Sequence, residues 1–190
     1  MEFSFSEDFI KVLEFSRDEA VRTGWHNICP DHIILAILRQ SDNDACRALE
    51  RCGIDTALFK ECIDQATFVS EAVPWEERES VHLRDSSVSM LQHASLEAAR
   101  CHSRQITPLH FLLAVSRING CFSHDWLDSE QLGLRQIVEA SGLPWAAYGL
   151  AGPMEEGSQE KAAAPDPQTL AAAIEKRLRE GYTTGNPLLS

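Results

Sequence analysis

Three residues spaced three apart, His26, Cys29 and His32, carry side chains that could bind a metal ion, with Cys46 or Cys52 as a fourth ligand. Zinc needs ligands that converge tetrahedrally, and these ligands usually come in closely spaced pairs. The chain has six cysteines but no CxxC pair. We therefore expect no metal and no other cofactor, and we interpret His32 as a core histidine whose ring nitrogens bond backbone groups.

Two Cys–His combinations, Cys101 with His102 and Cys121 with His124, raise the alternative of a nucleophilic thiol. Such catalysis needs a thiolate of lowered pKa, a base and an oxyanion cradle. No motif marks the base or the cradle, so we expect no catalytic residue and no enzyme activity. A small metal-binding or thiol protein built on these Cys and His residues is the least favoured of the functional hypotheses.

The helices that position these residues occur twice. Residues 6–39 align with residues 84–117 at an offset of 78, without a gap. The identical pairs are mostly apolar residues or residues that mark helix boundaries, and they include Leu13/Leu91, Glu19/Glu97, Ala20/Ala98, Ile28/Ile106, Pro30/Pro108, His32/His110, Leu35/Leu113, Ala36/Ala114 and Arg39/Arg117. A duplicated packing unit predicts two similar half-domains and a seam between them. A seam suits binding better than bond-breaking chemistry.

The duplication also bears on the metal hypothesis. His32 recurs as His110, whereas His26 and Cys29 do not recur and are replaced by Arg104 and Thr107. A histidine kept in both copies without its neighbouring ligands is more typical of a structural role.

Hydrophobic periodicity predicts helices and no strands. The helices are expected over residues 6–23, from Pro30 onward, near 43–52 and 55–66, in the second copies of the first two, and over 122–129 and 131–141. Ser4 or Ser6 can cap the first of these helices, Ser4 with Glu7 fits a capping box, and Gly24 suits the C-terminus of that helix. Residues 67–83 are expected to link the halves.

These elements predict an all-α protein of about eight helices, in two duplicated four-helix repeats. Repeat one is expected over residues 4–66 and repeat two over residues 82–142, inside a domain of residues 1–150. Residues 151–167 are rich in Gly, Ala, Pro and Glu, which is typical of a flexible linker. A short helix near 168–180 follows, and it either docks on the domain or waits for a partner.

The net charge of the chain and the lack of a long apolar run disfavour nucleic acid and membranes as partners. Acidic residues outnumber basic ones by 29 to 17, a net charge of −12 that repels nucleic acid and anionic membranes and favours basic or neutral partners. No apolar run approaches the roughly 20 residues that a membrane span needs, and no signal peptide is expected. Scattered cysteines are typical of reduced thiols, so we expect a cytoplasmic protein.

The repeated segments resemble the amino-terminal domain of Clp ATPases. The resemblance lies in Phe5-Ser6-Glu7, in Glu19-Ala20, in the segment from Asn27 to Leu35 and in its second copy from Ile106 to Ala114. It covers about residues 3–142 and implies a pseudo-twofold bundle of eight helices. It also implies a non-catalytic module that receives adaptors and polypeptide substrates for the ATPase ring.

The resemblance implies the candidate binding residues too. They lie at the starts of the first and second helix of each repeat: Phe5, Ser6 and Asp31 in repeat one, and Leu83 and Leu109 in repeat two. In one branch of the family each repeat can hold a phosphoarginine, through a hydroxyl and a carboxylate at these positions. Ser6 and Asp31 keep both groups, whereas Arg84 and Leu109 supply no carboxylate in the second copy.

No GxxxxGK[ST] motif occurs in the chain, so no phosphate-binding loop of an ATPase is present in it. We expect a stand-alone accessory protein of the Clp chaperone-protease system. Its expected partners are polypeptides or adaptors, and a Clp ATPase or peptidase ring. The alternative is the excised substrate-receiving domain of a full-length Clp ATPase.

Overall fold

The computed structural model describes residues 4–69, 71–145, 148, 172 and 174–176. Its α-helices are α1 (Glu7–Thr23), α2 (Pro30–Gln40), α3 (Asp44–Arg51), α4 (Thr56–Thr67), α5 (Asp85–Arg100), α6 (Pro108–Arg117), α7 (Phe122–Ser129) and α8 (Leu134–Ala140). Four two-residue strands accompany them, namely β1 (Ser4–Phe5), β2 (Asn27–Ile28), β3 (His82–Leu83) and β4 (Gln105–Ile106). The predicted all-α repeat bundle is confirmed, but the strands were not predicted.

Helix α1 begins at a serine cap and ends at a glycine. The Ser6 hydroxyl accepts a hydrogen bond from the Phe9 backbone N–H at 3.2 Å. The predicted capping box at Ser4 is therefore wrong, because Ser4 lies in β1. Gly24 has a φ of 87°, a left-handed conformation that glycine adopts without strain, and its N–H bonds the last turn of α1.

The second helices of the two repeats, α2 and α6, begin in the same way. Each has a proline at its first position and a histidine two residues later. Nδ1 of His32 accepts the Cys29 N–H at 3.0 Å, and Nδ1 of His110 accepts the Thr107 N–H at 3.0 Å. Nε2 of His32 lies 3.0 Å from the Thr23 hydroxyl. His32 is completely buried, which confirms its interpretation as a core histidine. Its Nδ1 bonds a backbone group as predicted, whereas Nε2 bonds a side-chain hydroxyl instead of a backbone group.

The strands cross between the repeats. Strand β1 pairs in parallel with β4, and β2 pairs in parallel with β3. The start of each repeat therefore lies beside the second helix of the other repeat. This exchange makes the two halves interlock instead of merely touching.

The helices also pack across the seam. Helix α2 contacts α5, α6 and α7, while α3 contacts α6 and α4 contacts α7. The rings of Phe9 and Phe111 lie 6.0 Å apart, and Phe59 stacks on Trp126 at 4.2 Å. One apolar core therefore extends through both repeats and across the seam that the duplication predicted.

The predicted linker between the repeats is packed against repeat one. It contains a 3-10 helix, Trp75–Ser80, and the strand β3. The Val73 side chain is buried and its N–H donates to the Val21 carbonyl at 2.9 Å. Arg78 donates hydrogen bonds to Asp18 of α1. Residues 67–83 are thus more structured than a plain linker.

The C-terminal tail is described at four positions. Residues 172 and 174–176 are helical, and Ile174 is completely buried. The predicted linker at 151–167 and the remainder of the predicted helix at 168–180 lie outside the described residues. Within the described part of the chain, no helix combines the length and the apolar character needed to span a membrane.

Candidate polypeptide-binding site

The two crossed strand pairs define two junctions between the repeats. The first junction consists of β1, β4, Ser6 and the start of α6. Its Ser6 N–H donates to the Ile106 carbonyl at 3.0 Å. The Phe5 ring is half-buried and lies 5.7 Å from the Phe9 ring. Leu109 is buried, and its N–H donates to the Asp44 carboxylate at 2.9 Å.

The second junction consists of β2, β3, Arg84 and the start of α2. The Ile28 carbonyl accepts the Arg84 N–H at 3.0 Å and the Ser87 hydroxyl at 2.6 Å. Asp31 is 7% exposed and holds the N-terminus of α7. Its Oδ1 accepts the N–H of Ser123 at 2.7 Å and the Ser123 hydroxyl at 2.5 Å, while Oδ2 accepts the Phe122 N–H at 3.2 Å.

A cavity of about 330 Å³ opens at the second junction. Aromatic, polar and thiol groups line it, from Trp25, Cys29, Asp31, Arg84, Cys121 and Phe122. The Trp25 ring is held in place because its Nε1–H donates to the Thr67 carbonyl at 2.6 Å. This volume lies at the small end of the range for ligand pockets, and it suits one or two side chains of a bound segment. A second cavity of about 330 Å³, lined by residues that include Cys52 and Gln136, contains none of the predicted site residues.

The strand exchange separates the hydroxyl and the carboxylate that the resemblance implies for binding a phosphoarginine. Ser6 lies at the first junction, beside the start of α6 and its Leu109. Asp31 lies at the second junction, where it shares the cavity with Arg84. Each junction therefore combines the helix start of one repeat with that of the other. The Asp31 carboxylate is also occupied already by three hydrogen bonds within the bundle.

The thiols that lie near histidines are not activated. Burial raises the pKa of Cys121 to about 12 and the pKa of Cys101 to about 11. Burial likewise raises the pKa of Cys29 to about 11, although His32 lies beside it. Nδ1 of His124 lies 2.8 Å from the Val115 carbonyl, so that nitrogen is directed away from a role as base. These thiols stay protonated at neutral pH, which disfavours nucleophilic chemistry.

The residues of the hypothetical metal site do not form one set of ligands, although the Cys29 Sγ lies 3.3 Å from Nδ1 of His32. His32 is buried against Thr23, whereas His26 is exposed and lies 3.8 Å from Glu77. No group of three or more Cys, His, Asp and Glu side chains in the described ranges is arranged to hold a metal ion.

The comparisons with known proteins agree with this architecture. The model of the Clp repeat (R) N-terminal domain matches residues 4–124, which include both junctions. The chain belongs to this family. It is 25% identical over 181 residues to the chaperone protein ClpB of Oceanobacillus iheyensis, covering 93% of this chain and 22% of that protein.

A second relative is the negative regulator of genetic competence ClpC/MecB of Bacillus subtilis. It is 24% identical over 113 residues, covering 60% of this chain and 14% of that protein. The chain thus spans less than a quarter of the length of these two relatives. What the relatives share with it is therefore the repeat domain, and activities of their other parts do not transfer to this chain by similarity.

Several residues of the second junction were not predicted as site residues. Trp25, Cys121 and Phe122 line its cavity, and Glu175 of the tail reaches the Leu83 N–H at 3.3 Å. The two relevant helix starts could be predicted from the repeat. Their pairing could not, because an alignment of the halves does not say whether a start packs within its own repeat or against the other one.

Proposed function

We propose that this chain is a non-catalytic receptor for polypeptide segments in the Clp system, and that it binds them at the junctions between its repeats. The observation that carries the proposal is the cavity at the second junction, which lies between interlocked repeats of a Clp N-terminal family domain. Phe5, Ser6 and Leu109 would contact the segment at the first junction. Asp31 and Leu83 would do so at the second junction.

The groups at the second junction are suited to a bound segment that inserts an apolar side chain and keeps its polar backbone beside that side chain. Trp25 and Phe122 offer aromatic faces, and aromatic residues dominate binding energy at interfaces. Arg84 is exposed at the rim and can reach a carbonyl or carboxylate of the segment. The overall charge of −12 favours segments with basic flanks, because it raises their association rate.

Site-specific photo-crosslinking tests the proposal. A benzoylphenylalanine placed at Ser86, an exposed residue of the second-junction cavity, is combined with reduced and carboxamidomethylated lysozyme as an unfolded basic polypeptide. The matched control places the crosslinker at Gln136, which is also exposed but lines the other cavity. We expect a crosslink at Ser86, and a weaker one with carboxamidomethylated α-lactalbumin, which is acidic. No crosslink, or equal crosslinks at both positions, contradicts the proposal.

We further propose that the protein acts in the cytoplasm as an accessory subunit, separate from an ATPase. An immunoblot of native lysate distinguishes this role from the alternative. A band near the 21.2 kDa of this chain supports the accessory role, and a band of ATPase size supports a substrate-receiving domain of a full-length Clp ATPase. Affinity capture from the same lysate should recover a Clp ATPase or peptidase. Reproducible capture without either one contradicts a role in the Clp system.

A further inference from the structure

A buried cation on α1 has its partner in the C-terminal tail. Arg17 is 1% exposed, and its Nε has no hydrogen-bond partner in the described part of the chain. A charge buried this deeply is costly unless it is paired. Nη2 of Arg17 lies 3.4 Å from Oε2 of Glu175, a residue 158 positions away. The tail therefore supplies the direct ion-pair partner of this guanidinium, while Glu79 and Asp18 of the repeat domain add weaker electrostatic support.

Two further donors converge on the same carboxylate. Oε1 of Glu175 accepts the backbone N–H of Leu83 at 3.3 Å, and Oε2 lies 3.3 Å from Nδ1 of His82. The next N–H of this segment, that of Arg84, is used inside the junction by the Ile28 carbonyl. The Leu83 N–H lies on the outer edge of β3 and is available to a ligand. A guanidinium, an imidazole and a strand-edge N–H together are suited to a carboxylate.

The aliphatic residue before the carboxylate is part of the same contact. Ile174 is completely buried, although it belongs to a tail segment that begins beyond the repeats. Burial of one aliphatic side chain next to a paired carboxylate gives the contact both apolar area and charge recognition. This combination resembles the way in which a domain holds a separate helical peptide.

We propose that Arg17, His82 and the backbone N–H of Leu83 form a carboxylate-binding site for helical polypeptide segments that carry an aliphatic–acidic pair, and that Ile174 and Glu175 occupy this site in cis. The site combines Arg17 of repeat one with His82 and Leu83 of repeat two. Its counterpart at the matching positions lacks the guanidinium and the imidazole, because Ser95 corresponds to Arg17 and Ser4 corresponds to His82. The Ser95 hydroxyl donates to the Gln92 carbonyl at 2.6 Å, so it offers no cation.

Occupation in cis makes the tail a competitor. A segment that binds in trans finds only the fraction of molecules whose tail has left, and its apparent affinity falls by that fraction. The trans part of the inference rests on the proposed function, since it takes the second junction as a receptor for polypeptides. The cis part rests on the contacts of Glu175 alone.

The test uses the full chain and a fluorescein-labelled synthetic peptide with the sequence of residues 168–180. Binding is measured by fluorescence anisotropy to the unchanged chain, to Glu175→Arg and to Glu50→Arg, a charge-matched control at an exposed position of α3. Glu175→Arg places a second cation against Arg17 and expels the tail. We expect the peptide to bind this variant at least tenfold more tightly than the unchanged chain or the control. A peptide with Glu175→Gln should bind the variant at least tenfold more weakly.

Amide exchange supplies a second measurement that needs no peptide. The Leu83 N–H should exchange at least tenfold faster in Glu175→Ala than in the unchanged chain, with no change in Glu50→Ala. Equal peptide affinity for the unchanged chain and Glu175→Arg overturns the proposal. Equal affinity of the variant for the unchanged peptide and for the peptide with Glu175→Gln overturns it as well. So does a Leu83 exchange rate that is unchanged in Glu175→Ala.

The two proposals fail separately. If the peptide behaves as expected but no lysozyme crosslink forms at Ser86, the carboxylate site and its occupation in cis stand, and the proposed receptor function does not. If the crosslink forms but the peptide binds equally tightly with and without its glutamate, the receptor function stands and the carboxylate site does not.

Discussion

At matching positions of the two repeats, a buried glutamate contacts an arginine of the following helix. Glu19 lies 3.3 Å from Arg39, and Glu97 lies 2.8 Å from Arg117. The capping by His32 and His110 is also the same in both copies, with identical distances. The interactions that hold the first two helices of a repeat together have therefore been kept twice.

The residues at the junctions differ between the copies. The position of Asp31 in repeat one is Leu109 in repeat two, and the carboxylate that contacts Leu109 comes from Asp44 on the other side of the seam. The buried Arg17 has Ser95 as its counterpart. The positions of Asp31 and Leu109 lie where the repeats meet, and the position of Arg17 lies where the tail docks. Duplication thus preserved the helix framework and left the two junctions free to acquire different binding chemistry.

The largest expected effect concerns the two histidines, which should behave alike. Burial lowers the pKa of His32 and of His110 to about 4, from an ordinary value of 6.5. Both rings have a lower pKa in the folded state than in the unfolded state. The stability that the neutral rings contribute is therefore fully present above about pH 6.5. It is lost as pH falls toward 4, by about 3 kcal/mol for each ring. Urea unfolding at several pH values measures this loss.

Nuclear magnetic resonance separates the two rings. Both imidazoles should keep the chemical shifts of the neutral form down to about pH 5 in the folded chain, and should titrate near 6.5 in urea. A ring that titrates near 6.5 in the folded chain would show that the two repeats are not equivalent in this respect.

The second prediction sharpens the comparison of the two ion pairs. Arg117→Ala should lower the free energy of unfolding by about 2 kcal/mol, because among the described residues it leaves the buried Glu97 with a 3.9 Å contact to Arg100 as its one ion pair. Arg39→Ala should cost about 1 kcal/mol or less, because Glu19 retains two hydrogen bonds from Arg22. Urea denaturation measures both, and Arg135→Ala, an exposed i,i+4 pair, is the control with little effect.

The pH dependence of Arg117→Ala has a definite sign. Burial raises the pKa of Glu97 above its ordinary value, while Arg117 and Arg100 oppose the rise. A carboxyl group whose pKa is higher in the folded state costs stability when it is ionised, and the cost disappears as pH falls through that pKa. The difference between Arg117→Ala and the unchanged chain should therefore shrink on acidification. A difference that grows as pH falls contradicts this account.

The helices could be predicted from the sequence, but the junctions could not. The start of α2 follows from Pro30 and the end of α1 from Gly24, since these residues act through local backbone geometry. A strand of two residues has no periodicity to detect, so β1 to β4 were missed. The tertiary partners of Ser6 and Glu175 lie more than 90 residues away in sequence order, and residue patterns along a chain carry no information about which distant partner is chosen.

A third pair of substitutions compares the two carboxylates that cross the seam. Asp31→Ala should lower stability by about 2 kcal/mol, because it removes the cap of α7 and leaves the buried Ser123 N–H and hydroxyl without their acceptor. Asp44→Ala should cost about 1 kcal/mol, since the half-buried Asp44 accepts one hydrogen bond from Leu109. Thermal unfolding of both variants checks the ranking, with Asp31→Asn as a milder control. Equal losses would show that the two junctions are energetically alike.

The smallest effect should differ in sign between the repeats. Ser6→Ala should cost about 1 kcal/mol, since the Ser6 hydroxyl caps α1 through the Phe9 N–H. At the matching position Arg84 makes no side-chain cap of α5, so Arg84→Ser should raise stability by about 0.5 kcal/mol by supplying one. The backbone bond from residue 84 to the Ile28 carbonyl is unaffected by the change. If Arg84→Ser instead lowers stability while weakening the lysozyme crosslink at Ser86, the arginine has a structural role in the cavity beyond binding, and the repeats differ more deeply than their helix caps.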